Sequence, residues 1–269
     1  MGKATTKKTD LTVVNPSTGE VIDPALLDDM IADAGMRERF GTEDLTIPRI
    51  VILQDLSDQV KPHKAEYVPG AAVGMIYNGI NNALDTKLTF VPAKFHTPWI
   101  AWKPRPEGGL VNNNVDPAIL TPENGFAKDG IDQFVGMMAP ASDPTGDKVK
   151  VEVIKTPEWI GVARGASGWV MPVAISFPST KAKAARKINT AIDLTEIEVA
   201  PGKFITPPAF YHTFTLTTAI EQAGQNEWFG WQVTHEGWQD TDPRLRDKAK
   251  DIRKSFEEGS AVVADPTAQ

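Results

Sequence analysis

From residue 46 onward the chain is a succession of short runs rich in β-branched and aromatic residues, separated by clusters of glycine, proline, asparagine and aspartate. The runs are IPRIVILQ (47–54), GMIYN (74–78), KLTFVPAKFHTPWIAWK (87–103), KVEVIKTPEWIGVA (150–163), WVMPVAISF (169–177), AFYHTFTLTTAI (209–220) and EWFGWQVTHEG (227–237). Such residues fit a pleated, half-buried surface, and the punctuation between them turns the chain back on itself. The pattern predicts a mainly β protein with a few peripheral helices. A chain of 269 residues is long enough for one large β unit or for two small domains.

Three segments depart from that rhythm. Residues 1–45 read as an N-terminal arm followed by an acidic helix over about 24–39, with Asp23 as its cap and Pro24 at its first position. Residues 46–238 form the β core, into which a long irregular stretch at 106–147 and one helix are inserted. That helix, in SFPSTKAKAARKINTAI, is capped by Ser179 or Thr180 and runs to about Ile192, with Ala182, Ala185, Ile188 and Ile192 on its buried side. Residues 239–269 hold a helix that follows Asp242 and Pro243 and runs to about Phe256, then a loose tail, VVADPTAQ.

Several chemistries lack their residues. The chain has no cysteine, so disulfides and thiolate metal sites are excluded, and its four scattered histidines show no metal-ligand spacing. No G-x-x-x-x-G-K-[ST], G-x-G-x-x-G or G-x-S-x-G motif occurs; GVARGASG (161–168) lies between two predicted strands and reads as a hairpin or loop. His96, His212 and His235 fall in predicted strands and read as structural. No apolar stretch reaches the roughly 18–20 residues that cross a bilayer, and the polar start MGKATTKKTD has no secretion-signal core. The expectation is a cytoplasmic, non-enzymatic protein without cofactor or metal.

The net charge of −7 is unevenly spread. Residues 20–44 carry eight acids against Arg37 and Arg39, whereas 87–105 hold Lys87, Lys94, Lys103 and Arg105 with no acid, and 180–190 hold Lys181, Lys183, Arg186 and Lys187 with none. Six of the seven tryptophans lie in or beside predicted strands. Flat rings beside cations suit single-stranded nucleic acid, because exposed bases stack on rings while lysine and arginine neutralise phosphates. Burial in the core is the competing explanation for each ring. Strand alternation separates the two: Phe95, Thr97, Trp99 and Ala101 share one face and His96, Pro98, Ile100 and Trp102 the other, unless Pro98 bulges the strand. The same alternation puts Phe229, Trp231 and Val233 inward and Trp228 outward, and Phe210, His212, Phe214 and Leu216 inward with Tyr211 outward. The candidate contacts are therefore Lys94, Trp102, Lys103, Arg105, Lys181, Lys183, Arg186, Lys187, Tyr211 and Trp228.

In order along the chain, GTEDLTIPRIVILQ, YVPGAAVGMIYN, LTFVPAKFHTPWIAWKPR, PVAISFPSTKAKAARKINT and NEWFGWQV resemble a group of tailed-bacteriophage single-stranded DNA-binding proteins of replication and recombination. The similarity spans roughly residues 41–235. It implies an oligonucleotide-binding-type (OB-like) β-barrel, with Trp99, Trp102, Lys103 and Arg105 in a W-x-x-W-K-P-R-like segment and the 181–187 lysines and arginine in a basic helix. Such proteins commonly end in an acidic tail that recruits partners; this chain ends EEGSAVVADPTAQ, and the acidic segment 20–44 is the candidate contact for replication or recombination proteins. The function expected is binding of single-stranded DNA with little sequence preference in an infected bacterial cell. A virion structural or assembly β-protein is the alternative, and an enzyme with a site assembled only by folding comes third. Oligomeric state is left open.

Overall fold

The computed structural model describes residues 46–104, 109–130, 132–178, 181–238, 241–259 and 262–263, together with 23, 25, 28, 29 and 32. Ala25, Asp28, Asp29 and Ala32 are helical, and the Ala25 N–H donates to the Asp23 carboxylate at 2.9 Å. The remainder of the predicted 24–39 helix lies outside the described residues.

Two sheets carry the fold. The larger has eight strands: β2 (Arg49–Ile52), β3 (Ile76–Asn78), β4 (Ala83–Asp85), β5 (Lys87–His96), β11 (Glu158–Gly165), β12 (Val170–Ser176), β15 (Thr213–Ala223) and β16 (Asn226–Gly237). Their spatial order is β16-β15-β5-β11-β12-β2-β3-β4, antiparallel throughout except where β12 meets β2. The smaller sheet has the order β7-β6-β10-β9-β8, built from β6 (Trp99–Trp102), β7 (Leu110–Val115), β8 (Ala127–Lys128), β9 (Gln133–Met138) and β10 (Val149–Lys155). The predicted mainly β class with peripheral helices is the class observed.

The large sheet curls into a half-barrel. Gln54, just past β2, reaches the edge strand β16: its Nε2 donates to the Phe229 carbonyl at 2.9 Å, and its Oε1 accepts from the Phe229 N–H at 3.0 Å. One carboxamide thus supplies the donor and acceptor that a neighbouring strand would. The Thr218 hydroxyl adds a bond to the Gly74 carbonyl at 2.6 Å. Inside the curl pack Ile50, Ile52, Leu88, Phe90, Phe177, Phe214, Leu216, Trp231 and Val233. Helix α1 (Ala182–Asp193) joins that core through Ala184, Ala185 and Ile188, alanines letting its backbone come close to the sheet.

The opposite face of β5, β11 and β12 is also dry. Helix α2 (Pro243–Glu257) lays Leu245, Ala249 and Ile252 on Val91, Ala93, Ile160, Val162 and Ala174. Each fully buried aliphatic side chain there contributes about 1.5–3 kcal/mol. Burial on both faces explains why WIGVA in β11 is continuously apolar instead of alternating. Asp242 caps α2, its side chain accepting from the Arg244 N–H at 2.9 Å, with Pro243 at the first position as predicted.

The structure departs from the sequence reading in four places. The stretch expected to be a long loop, 106–147, contains β7, β8 and β9. Its polar Asn112–Asn114 run, part of that irregular stretch, forms the sheet edge, and Gly136 in β9 leaves room for the Phe126 ring, which a Cβ would approach to 2.4 Å. The tail expected to be loose pairs at β17 (Val262–Val263) with β1 (Thr46–Ile47) in parallel. Residues 209–211 form a short helical turn after Pro207 and Pro208, not the start of a strand. A hairpin of β13 (Ile197–Ala200) and β14 (Lys203–Ile205) follows α1; its mostly exposed residues give no alternating pattern to read. Ser179 and Thr180, the expected caps of α1, lie outside the described residues.

Candidate nucleic-acid interface

Two proline bends place the site. β5 continues into β6 across Thr97–Pro98, and β10 into β11 across Thr156–Pro157, so one antiparallel ribbon serves both sheets. At the bend the Thr156 N–H donates to the Pro98 carbonyl at 2.9 Å. Beyond it, Trp99 and Ala101 turn into the core of the small sheet, Trp99 meeting Phe134 edge-on with ring centroids 5.6 Å apart. Ile100 and Trp102 turn the other way, as strand alternation requires. Glu152 and Ile154 of β10 share that outward side, and the face they form lines a cavity with β2, Trp231 and Lys181. Its volume is about 650 Å³, within the range of small-molecule sites.

A buried polar ladder runs along the large sheet beside this groove. His96, Glu158 and Ser176 stand directly across from one another on β5, β11 and β12. Glu158 is fully buried and ion-paired with Arg49. The Ser176 hydroxyl donates to Glu158 Oε2 at 2.7 Å, and His96 Nε2 lies 2.6 Å from Oε1. Burial first, then Arg49 and Lys94, push the imidazole down to about 4. At neutral pH the His96–Glu158 contact is therefore a hydrogen bond from a neutral ring to a carboxylate, not an ion pair. Arg49 also lines the groove, but Glu158 largely neutralises its charge.

Lys103 and Lys181 are the remaining cations of the groove. Burial pushes the Lys181 ammonium below its ordinary value, and the nearby Glu221 charge opposes that push. Lys181 also lines a second cavity, of about 610 Å³, together with Gln54, Ser57 and Trp228. The structure thus brings Trp102, Lys103, Lys181 and Trp228 onto two adjoining cavities that share a lysine. Acids stand there too: Glu152 in the first, Asp55 and Glu227 in the second.

The other candidates lie apart or are engaged. Lys183 is ion-paired with Glu221 at 2.7 Å, and the same carboxylate accepts from Trp228 Nε1 at 3.1 Å. Lys187 donates to the Val233 carbonyl, covering another stretch of the β16 edge. Arg186 is exposed on α1. Lys94, opposite Ile160, and Tyr211 line neither cavity; the Arg246 guanidinium sits 5.8 Å from the Tyr211 ring centroid. Arg105 lies outside the described residues. Sequence reasoning missed Arg49, Glu158 and Glu221. The signal for the first two was a charge inside an apolar strand run, IPRIVILQ and PEWIGVA, where burial demands a partner.

Among the described residues no group of three or more histidines and acids is placed to hold a metal ion, and no helix is long and apolar enough to cross a membrane. A family model described as Pam3 phage gp34-like protein matches residues 17–262. The chain belongs to this family. The match takes in both cavities, both sheets and both helices, and it supports the phage origin expected from the sequence; the description names no activity. No curated protein and no solved structure matches the chain.

Proposed function

We propose that this phage protein binds single-stranded DNA without catalysing a reaction and with little sequence preference, in replication or recombination within the infected cell. The observation that carries the reading is the shared lysine: Lys181 stands between a cavity holding Trp102 and Lys103 and a cavity holding Trp228. Bases stacked on the two indoles would leave the intervening phosphates beside Lys181 and Lys103, with Arg186 exposed on the same helix. Each stacked base contributes about 1–3 kcal/mol. The oligonucleotide-binding-type reading rests on the curled sheet with a helix packed into its core. A barrel of that type has five strands and is partly open, whereas here eight strands follow one another and β16 and β4 end the order, so the likeness proposed is one of binding surface. The acidic 20–44 segment is the proposed contact for partner proteins.

Titration with oligo-dT tests the reading. Tryptophan fluorescence is expected to fall on binding, and the affinity to drop steeply as salt rises. No quenching and no mobility shift at low salt would overturn it. One feature favours the second reading, a virion structural or assembly protein: Val199, Phe204 and Ile205 are exposed on the β13–β14 hairpin, and a lone hairpin is marginal without a partner. Concentration-dependent sedimentation that is abolished by Phe204→Ser would support that reading.

A further inference from the structure

Glu221 places a buried negative charge at the edge of a surface proposed to hold phosphates. It lies on β15 directly across from Trp228 on β16, with its side chain only 7% exposed. Its carboxyl group packs against Gly230, where an added Cβ would come within 2.3 Å of the carboxyl carbon; the glycine makes room for the acid. Trp228 Nε1 donates to Oε2 at 3.1 Å, and the Lys183 ammonium stands 2.7 Å from Oε1. The same charge acts on Lys181. A glutamine would accept from the indole equally well, so the negative charge matters chiefly to the two lysines. A buried carboxylate is costly to leave unpaired, and it therefore holds Lys183 against competing phosphates.

We infer that Glu221 is an internal competitor for phosphate, a residue that limits the affinity of this surface for nucleic acid by occupying Lys183 and offsetting Lys181. The inference rests on the single-stranded DNA reading. In the wild type the intramolecular pair keeps Lys183 from the backbone phosphates. Removing the charge frees one cation for one further phosphate contact. With a slope of about 0.7 per phosphate on single strands, that contact tightens binding about fivefold at about 0.1 M salt.

The test is a salt series of labelled oligo-dT titrations on the full chain, read by anisotropy and tryptophan fluorescence. The wild type is compared with Glu221→Gln and with Glu221→Gln combined with Lys183→Ala, and urea unfolding checks each fold. Glu221→Gln is expected to bind about fivefold tighter, with a salt slope steeper by about 0.7, and the added Lys183→Ala to cancel the gain. If Glu221→Gln lowers the unfolding midpoint, Glu221→Met provides the same removal of charge in a similar volume. A wild type that binds while the charge-removed variant binds equally or more weakly overturns the inference and leaves the DNA reading standing. A wild type that does not bind at all overturns both.

Discussion

Replacing Arg49 by methionine isolates the electrostatics of the ladder beside the groove. Methionine keeps most of the alkyl volume and removes the charge, leaving Glu158 fully buried with the Ser176 hydroxyl and the His96 ring as its partners. Breaking a buried ion pair from one side costs about 3–5 kcal/mol, because the remaining charge stays buried without compensation. Part of that cost can be relieved. Arg49 is the second of the causes that hold His96 at about 4, so its removal lets the imidazole take up a proton more readily and pair with the carboxylate. The expected loss at pH 7 is therefore at the lower end, about 3 kcal/mol. Arg49→Met with Glu158→Gln leaves neither charge of this pair buried and is expected to recover about 2 kcal/mol of it. Urea unfolding followed by tryptophan fluorescence measures both. With a slope of about 3 kcal/mol per molar, the single variant should unfold about 1 M earlier. A loss below about 1 kcal/mol, or a double variant whose loss equals the sum of the two singles, would refute the pairing argument.

Trp99 and Trp102 should part company under substitution. Trp102→Ala is expected to weaken oligo-dT binding about tenfold, the loss of one stacking contact, with little change in melting. Trp99→Ala should cost about 3 kcal/mol of stability and leave binding intact; the reverse assignment would show the strand register to be wrong. Gln54→Ala leaves the Phe229 N–H and carbonyl without their partner and is expected to cost about 1–3 kcal/mol, with faster amide exchange at the β16 edge. His96 is held at about 4 in the folded protein against 6.5 unfolded. The unfolded chain therefore binds more protons between those values, and stability falls as pH drops through that window. His212 and His235 are lowered as well and act with the same sign, so His96→Gln should flatten the acid-side slope of the urea midpoint without abolishing it. An unchanged slope would count against the neutral ring. More than a third of the His96 side chain is in water, which reduces the effect below the full shift.

Alternation alone assigned faces to four of the tryptophans. A period of two sends Trp99 and Trp102 to opposite faces, and it puts Trp231 and Val233 inside with Trp228 outside; Pro98 ends one strand and starts another without disturbing that outcome. The seven apolar runs and the α2 cap were readable for the same reason: each is specified by neighbours within a few residues. The small sheet was not, because the Asn112–Asn114 run and Gly136 carry turn-like chemistry that only an edge position and a neighbouring phenylalanine explain. The ladder was hidden by distance. Arg49 and Glu158 are 109 residues apart, and they meet through the parallel pairing of β2 with β12 and the antiparallel pairing of β12 with β11. Nor could composition rank the cations of 181–187: Lys181, Lys183 and Lys187 look alike in sequence, yet one lines two cavities, one is held by Glu221 and one caps a carbonyl of β16.

The ribbon that passes from one sheet into the other gives the groove a mechanical character. One wall is the β6–β10 leaf of a pair of strands whose other leaf, β5–β11, belongs to the large sheet that carries the opposite wall, and the two leaves are folded at Pro98 and Pro157. Proline fixes φ near −65°, and the Thr156 to Pro98 hydrogen bond ties the two creases together, so the angle between the leaves is stiff and both creases must yield for it to change. The width of the groove is then set at the fold line, and a substitution at either proline would retune the opening without replacing a residue that lines it.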